Sequence, residues 1–172
     1  MAKISECTTV LLIDMQYNFL DYVYDDVKES LIYSQVKVIN YCALKDIPLV
    51  ILEYAPRLFG KTNRRLSEAA KSVQRKVLLE KNTRSGFNDT NLEEVLHYFE
   101  GKNLYLMGIF TDQCVQKTAE DAVKRGFRVS ISEDVTNGVG IKKPMRWFRF
   151  PAVYVYAKTY LEMIEIMENG IC

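Results

Sequence analysis

The sequence predicts an α/β protein, a doubly wound three-layer sandwich around a mainly parallel six-stranded sheet. Short apolar runs alternate along the 172 residues with segments whose apolar side chains recur every three or four positions. Strand–helix alternation of this kind implies a largely parallel sheet covered by helices on both faces. No internal repeat, low-complexity tract or linker interrupts the pattern, so residues 1–172 read as a single domain.

Thr8-Thr9-Val10-Leu11-Leu12-Ile13 reads as a buried first strand ending at Asp14. Leu31, Ile32, Val36, Val38 and Ile39 mark a helix over about Val27 to Leu44. Pro48 introduces a second strand, Leu49 to Leu52, at a position where a missing N–H is tolerated. The polar, basic stretch from Arg57 to Lys76 holds at most a short helix around Leu66 to Val73. Val77-Leu78-Leu79 is a short third strand stopping just before Lys81. Thr90 or Asp89 is placed to cap a helix through Leu92, Val95, Leu96 and Phe99, closed by Gly101. Leu104 to Met107 is a fourth strand, Thr111 to Arg125 a helix closed by Gly126, and Phe127 to Ser132 a fifth strand. Val153 to Tyr156 supplies a sixth, and Leu161, Ile164 and Met167 mark a terminal helix.

Composition narrows the function classes. The chain carries 23 Lys and Arg against 22 Asp and Glu, a net charge of +1. Such balance argues against a dedicated nucleic-acid binder. No run approaches the ~18 apolar residues that span a bilayer. The amino terminus lacks a signal-peptide core, because the apolar stretch Val10 to Ile13 is short and ends at Asp14. Cys7, Cys42, Cys114 and Cys172 are scattered without a Cys-x-x-Cys pair. Free thiols in a reducing, cytoplasmic setting are therefore expected.

The chemistry points to the ends of strands. In doubly wound sheets ligands bind outside the carboxyl ends of the strands, where strand order reverses. Asp14, Lys81 and Cys114 follow the first, third and fourth strands. They converge if the third and fourth strands lie on opposite sides of the first. Cys114 follows Gly108-Ile109-Phe110-Thr111-Asp112-Gln113, a turn into a helix whose first turn favours an anion. A thiolate is the nucleophilic form of cysteine. Singly, Asp14 could cap a turn, Lys81 could be a solvated loop charge and Cys114 a small core residue. Together they supply a proton acceptor, a cation and a nucleophile, as acyl transfer requires.

Three segments carry a family resemblance. Asp14-Met15-Gln16-Tyr17-Asn18-Phe19 resembles the Asp-x-Gln-x-x-Phe motif of the isochorismatase-like cysteine hydrolases. Lys81-Asn82-Thr83-Arg84-Ser85-Gly86-Phe87 is similar to their Lys-x-x-x-Ser-x-Phe segment, and Gly108 to Val115 resembles the signature around their nucleophile. The resemblance implies strand order 3-2-1-4-5-6 and a triad of Asp14, Lys81 and Cys114. It also implies a cis peptide between Ile109 and Phe110, and an oxyanion hole built from the N–H groups of Phe110 and Cys114. Phe19 and Phe87 become pocket walls by the same reading, although both also suit a plain core. The implied reaction is hydrolysis of an amide-like C–N bond in a small molecule through a thioester. A vinyl ether hydrolase of the isochorismate type and a non-catalytic binding protein are the alternatives.

The sequence also departs from nicotinamidase-like members, which carry an Asp-x-His metal motif after the second strand. Here that region reads Glu53-Tyr54-Ala55-Pro56, and the one histidine, His97, lies in a helical pattern elsewhere. Neither a metal nor any other cofactor is expected, since a catalytic zinc usually needs three protein ligands. Glu53 remains a candidate polar group of the pocket. The basic-aromatic segment at 142–150 suggests a subunit interface, hence a homo-oligomer, because arginine and aromatics favour such surfaces. A small-molecule substrate, no nucleic acid and no membrane complete the expected set of partners.

Overall fold

The computed structural model describes residues 7–140 and 155–169. Its six strands are β1 (Thr8–Ile13), β2 (Leu49–Tyr54), β3 (Lys76–Lys81), β4 (Asn103–Ile109), β5 (Arg128–Asn137) and β6 (Val155–Ala157). They pair in parallel throughout, in the order β3-β2-β1-β4-β5-β6. The helices are α1 (Tyr17–Leu20), α2 (Asp25–Lys45), α3 (Pro56–Phe59), α4 (Arg64–Ala70), α5 (Leu92–Tyr98), α6 (Gln116–Lys124) and α7 (Tyr160–Asn169). The architecture is the predicted doubly wound sandwich.

Each central strand divides its side chains between two cores because successive residues face opposite ways. On one face Val10, Leu12, Leu49, Ile51, Tyr105 and Met107 meet Ile32, Val38 and Ile39 of α2, Leu66 of α4, and Met163 and Met167 of α7. On the other, Leu11, Ile13, Val50, Leu52, Leu104 and Leu106 meet Leu92 and Leu96 of α5 and Ala119 and Ala122 of α6. Val10 to Ile13 are wholly buried, which contributes roughly 1.5–3 kcal/mol for each such side chain. This double burial makes β1 a continuous apolar run instead of an alternating one.

β1 pairs with both β2 and β4, so the chain reverses its winding direction between them. The crevice of the fold therefore opens beside the carboxyl end of β1. Gly108 faces Ile13 in the β1–β4 register and has φ +137°. A Cβ built there would lie 2.0 Å from the Ile13 carbonyl oxygen, a backbone atom that cannot step aside. The glycine is what lets the two strands close together at the crevice floor.

Several expectations need correction. β3 runs through Lys81 instead of stopping before it, so the lysine is anchored in the sheet. β5 continues past Ser132 to Asn137, because a register shift between Leu106 and Gly108 absorbs the polar pair Glu133-Asp134. Asp134 is satisfied there by Ser132 Oγ at 2.8 Å and by the N–H of Tyr160 at 2.9 Å. The expected helix from Thr111 begins as a π-helical turn, Thr111–Val115, and becomes α-helical only at Gln116. Short α1 and α3, built from motif and loop residues, had no periodic signal. Cys7 is disulfide-bonded and not the free thiol expected, whereas Cys42 and Cys114 are free. The 142–150 segment and the first two residues of the expected sixth strand lie outside the described residues.

Gly108→Ala should be among the most damaging small substitutions in the chain. The backbone overlap and the positive φ together predict a loss of roughly 3 kcal/mol or more, read by urea denaturation. A loss below about 1 kcal/mol would contradict the close β1–β4 contact.

Candidate active site

The end of β1 sets the geometry. Asp14 turns the chain with φ +54°, a left-handed conformation that Asp tolerates better than most residues. Its N–H donates to the Leu52 carbonyl at 2.9 Å and its carbonyl accepts from the Gln16 N–H at 2.8 Å. Gln16, wholly buried, then clamps the end of β2: its Oε1 accepts from the Tyr54 N–H at 2.7 Å, and its Nε2 donates to the Tyr54 carbonyl at 3.0 Å. The motif glutamine thus holds β1 and β2 in register at the crevice.

Among the described residues Lys81 is the largest of the fully buried side chains. It reaches past β2 to Asp14, where Nζ lies 2.8 Å from Oδ2. The same ammonium donates to the carbonyls of Thr83 at 3.1 Å and Arg84 at 3.4 Å, and sits 4.8 Å from the centre of the Tyr54 ring. Four partners surround a charge that water cannot reach, which is what burial of an ammonium demands. A solvated loop lysine is thereby excluded.

Cys114 stands on the π-helical turn and is partly buried. Its thiol interacts with both Asp14 and Lys81, so the structure brings all three residues together. Burial and the adjacent Asp14 carboxylate push the thiol up to about 12, and the Lys81 charge offsets this only in part. Burial also raises the Asp14 carboxyl above its ordinary 3.8, against the pull of Lys81 and of the Cys114 thiol. Asp14 Oδ1 is buried without a hydrogen-bond partner of its own, leaving an acceptor position beside the thiol. The peptide bond between Ile109 and Phe110, which leads into the turn, is cis.

These groups floor a cavity of about 250 Å³. Phe19, Tyr54, Ile109 and Phe110 form its apolar wall, while Asp14, Cys114, Gln113 and Arg84 supply its polar atoms. Phe19 stacks on Phe59 at 4.7 Å and meets Tyr54 and Phe110 edge-on at 6.1 Å each. The wall is a rigid aromatic surface suited to a flat or apolar fragment.

Two expected pocket residues stand elsewhere. Glu53 points away from the cavity: its Oε1 accepts from the N–H and hydroxyl of Thr62 at 2.8 Å each, and Lys61 pairs with Oε2 at 3.4 Å. Strand alternation puts its neighbour Tyr54 in the wall instead. Phe87 is a core residue packed on Phe127 at 5.9 Å beneath the Arg125 guanidinium. The segment between Lys81 and Phe87 is nonetheless pinned to the nucleophile helix. Gly86 N–H donates to Thr118 Oγ1 at 2.9 Å, and Ser85 hydrogen-bonds Asp121. Tyr54, Gln113 and Arg84 are the lining residues that the sequence reading missed; Arg84 lay inside a quoted motif but had no signal of its own.

A metal site of the nicotinamidase type does not fit these residues. Both oxygens of Glu53 are committed, and His97 is 71% exposed on α5 beside Glu93. Among the described residues no group of three or more His, Cys, Asp or Glu side chains could hold a metal ion.

Lys81→Met should cost roughly 3–5 kcal/mol of stability at pH 7, because it strands a buried carboxylate. Asp14 then takes up a proton more readily in the folded than in the unfolded state, so the deficit should shrink as the pH falls toward 4. Urea titrations at pH 7 and pH 4.5 read both effects, and a deficit independent of pH would contradict an ionised pair.

The isochorismatase domain matches residues 8–142 of the chain. Nicotinamidase 3 of Arabidopsis thaliana is 27% identical over 154 residues, covering 77% of this chain and 74% of its own. An isochorismatase-like hydrolase from Alkaliphilus metalliredigens has the same fold, with a TM-score of 0.76 at 21% identity over 92% of this chain and 98% of that one. The N-carbamoylsarcosine amidase of Thermoplasma acidophilum aligns with a TM-score of 0.69 at 24% identity, covering 90% and 96%. The match over residues 8–142 places the chain in the isochorismatase family.

Proposed function

We propose that the protein is a metal-independent cysteine hydrolase that cleaves an amide-like C–N bond of a small molecule through a thioester. One observation carries the reading. The buried Asp14 carboxylate touches the Lys81 ammonium at 2.8 Å and the Cys114 thiol at the floor of one cavity. The likeness to a nicotinamidase and to an N-carbamoylsarcosine amidase supports hydrolysis of C–N bonds.

At rest the proton sits on sulfur, Asp14 is ionised and Lys81 is an ammonium. Asp14 takes the thiol proton as the sulfur attacks the substrate carbonyl carbon, and the carbonyl electron pair moves to oxygen. The N–H groups of Phe110 and Cys114 receive that oxyanion. Collapse breaks the C–N bond, and Asp14 returns the proton to the departing nitrogen. Water then gives a proton to Asp14 and its hydroxide adds to the thioester. The carbon–sulfur bond breaks, the acid leaves, and the sulfur recovers its proton from Asp14. Lys81 keeps its charge throughout and stabilises whichever partner is anionic.

The role of Lys81 is to make a proton transfer between two buried acids feasible. Without its charge, moving the proton from sulfur to carboxylate would exchange one isolated buried anion for another. Tyr54 and the carbonyls of Thr83 and Arg84 hold the ammonium in place for both steps.

Cys114→Ala should fold normally and lose at least ~10³-fold in turnover of small primary amides, ureides and carbamates, in line with removal of a covalent nucleophile. Mass spectrometry of rapidly quenched enzyme should find the acyl group on Cys114. Undiminished turnover of these compounds in the variant would contradict the reading, and cleavage of a vinyl ether that survives Cys114→Ala but not Asp14→Ala would favour an ether hydrolase instead.

The pH dependence should follow from the resting protonation state. Activity rises as Asp14 ionises, along a limb displaced above pH 3.8 because burial raises that carboxyl. With the thiol held near 12, its ionisation should cause no decline below about pH 10. A kcat/KM profile over pH 4–10 tests this, and a fall centred near pH 8 would contradict it.

A further inference from the structure

We propose that Arg84 is a specificity-determining residue that binds a carboxylate on the substrate, so that the preferred substrate is a small amide carrying a second, anionic group. The inference rests on the hydrolase reading above and deepens it.

Charge in the cavity is the first ground. Asp14 and Arg84 are the acidic and basic side chains of its lining. The Asp14 charge is already matched by Lys81 beneath it at 2.8 Å. The resting cavity therefore keeps one positive charge in excess, and it belongs to Arg84. A cleft with a surplus of one sign and low-dielectric walls attracts the opposite sign.

The second ground is that this charge is unclaimed. Lys61 pairs with Glu53 and Glu80, Lys117 with Asp121 and Arg125 with Glu93. Arg84 is exposed at the mouth and forms no salt bridge among the described residues. Its planar fork of donors suits a carboxylate in two-point contact.

Placement is the third. The Arg84 carbonyl accepts from the Lys81 ammonium, and Thr83 Oγ1 donates to the Ser85 carbonyl at 3.1 Å. Gly86 N–H is tied to Thr118 on α6. The backbone that carries the guanidinium is thus fixed relative to Cys114, as a recognition element must be. The apolar fragment of the substrate would lie on the Phe19–Phe110 wall, its carbonyl over Cys114 and its carboxylate at the mouth.

Iodoacetate and iodoacetamide test the idea directly. They are matched in size and differ in a carboxylate against a carboxamide. Each alkylates a thiolate, forming a carbon–sulfur bond with loss of iodide. The ratio of iodoacetate to iodoacetamide rates at Cys114, resolved by peptide mass spectrometry, should fall about tenfold in Arg84→Gln, a typical loss for one charge-assisted contact. Arg84→Lys should restore part of it. A ratio equal within twofold in the wild type and Arg84→Gln would overturn the proposal.

A second measurement needs no reactive thiol. In Cys114→Ala, succinamate should raise the melting temperature more than its uncharged counterpart butyramide. Adding Arg84→Gln should abolish the difference. Equal shifts from the two amides in Cys114→Ala would overturn the proposal. Because neither measurement requires turnover, hydrolysis that survives Cys114→Ala would sink the cysteine-hydrolase reading while both comparisons still report on Arg84.

Discussion

The buried pair of Asp14 and Lys81 is the constraint around which the rest of this structure is arranged. Two opposite charges, 2% and 0% exposed, meet at 2.8 Å in the middle of an apolar sheet protein. Their mutual attraction at best offsets the loss of hydration, so such a pair is poor evidence of stability. It persists because the fold supplies further partners. Two loop carbonyls and the face of Tyr54 complete the shell of the ammonium, and a left-handed turn at Asp14 aims the carboxylate inward. The strand order makes this possible. With β1 between β2 and β4, the residue after β1 is flanked on one side by the reach of Lys81 and on the other by the turn that bears Cys114.

The same burial decides where the proton rests. A helix start would favour a thiolate if it acted alone, by an amount typically worth 0.3–1 kcal/mol at an exposed site. Against it stand burial of the sulfur and the charge of a neighbouring carboxylate, and these prevail. A resting thiol has a consequence for selectivity in the chemistry: the nucleophile is generated only when Asp14 can accept its proton. An oxidant or electrophile then meets a sulfur whose reactive thiolate forms only as its proton passes to Asp14. In the proposed cycle, the acid that must later protonate the leaving nitrogen is formed by the step that arms the sulfur.

Much of this was legible in the sequence, for identifiable reasons. β1, β2 and β4 are buried on both faces, so they are continuous apolar runs that stand out without any partner information. Asp14, Lys81 and Cys114 could be singled out because each is a chemically capable side chain following an apolar run, long in β1 and β4 and short in β3. What escaped was whatever depends on registry and direction. β3 is an edge strand of alternating exposure, so its apolar core of three residues understated its length and left Lys81 outside. Glu53 and Tyr54 are adjacent, and only the pleat decides that the tyrosine faces the cavity while the glutamate turns to Thr62. The extension of β5 depends on a ladder irregularity with β4 that no local pattern encodes. The disulfide at Cys7 is another case, because scattered cysteines give no indication of which of them meet in space.

In the proposed reading, recognition and catalysis are mechanically coupled in the segment after β3. Thr83 and Arg84 hold the Lys81 ammonium through their carbonyls, and Arg84 presents its side chain to the cavity from that same backbone. A change that shifts this backbone therefore disturbs the shared proton and the mouth of the cavity together. A change confined to the Arg84 side chain leaves the carbonyl, and hence the ammonium, where they are. In the proposed reading the physical separation runs between main chain and side chain of one residue: the first holds the Lys81 ammonium, and the second is free to select what the chemistry acts upon. In a cavity of only about 250 Å³ with a rigid aromatic wall, a single charge at the entrance is an economical way to distinguish one small amide from another.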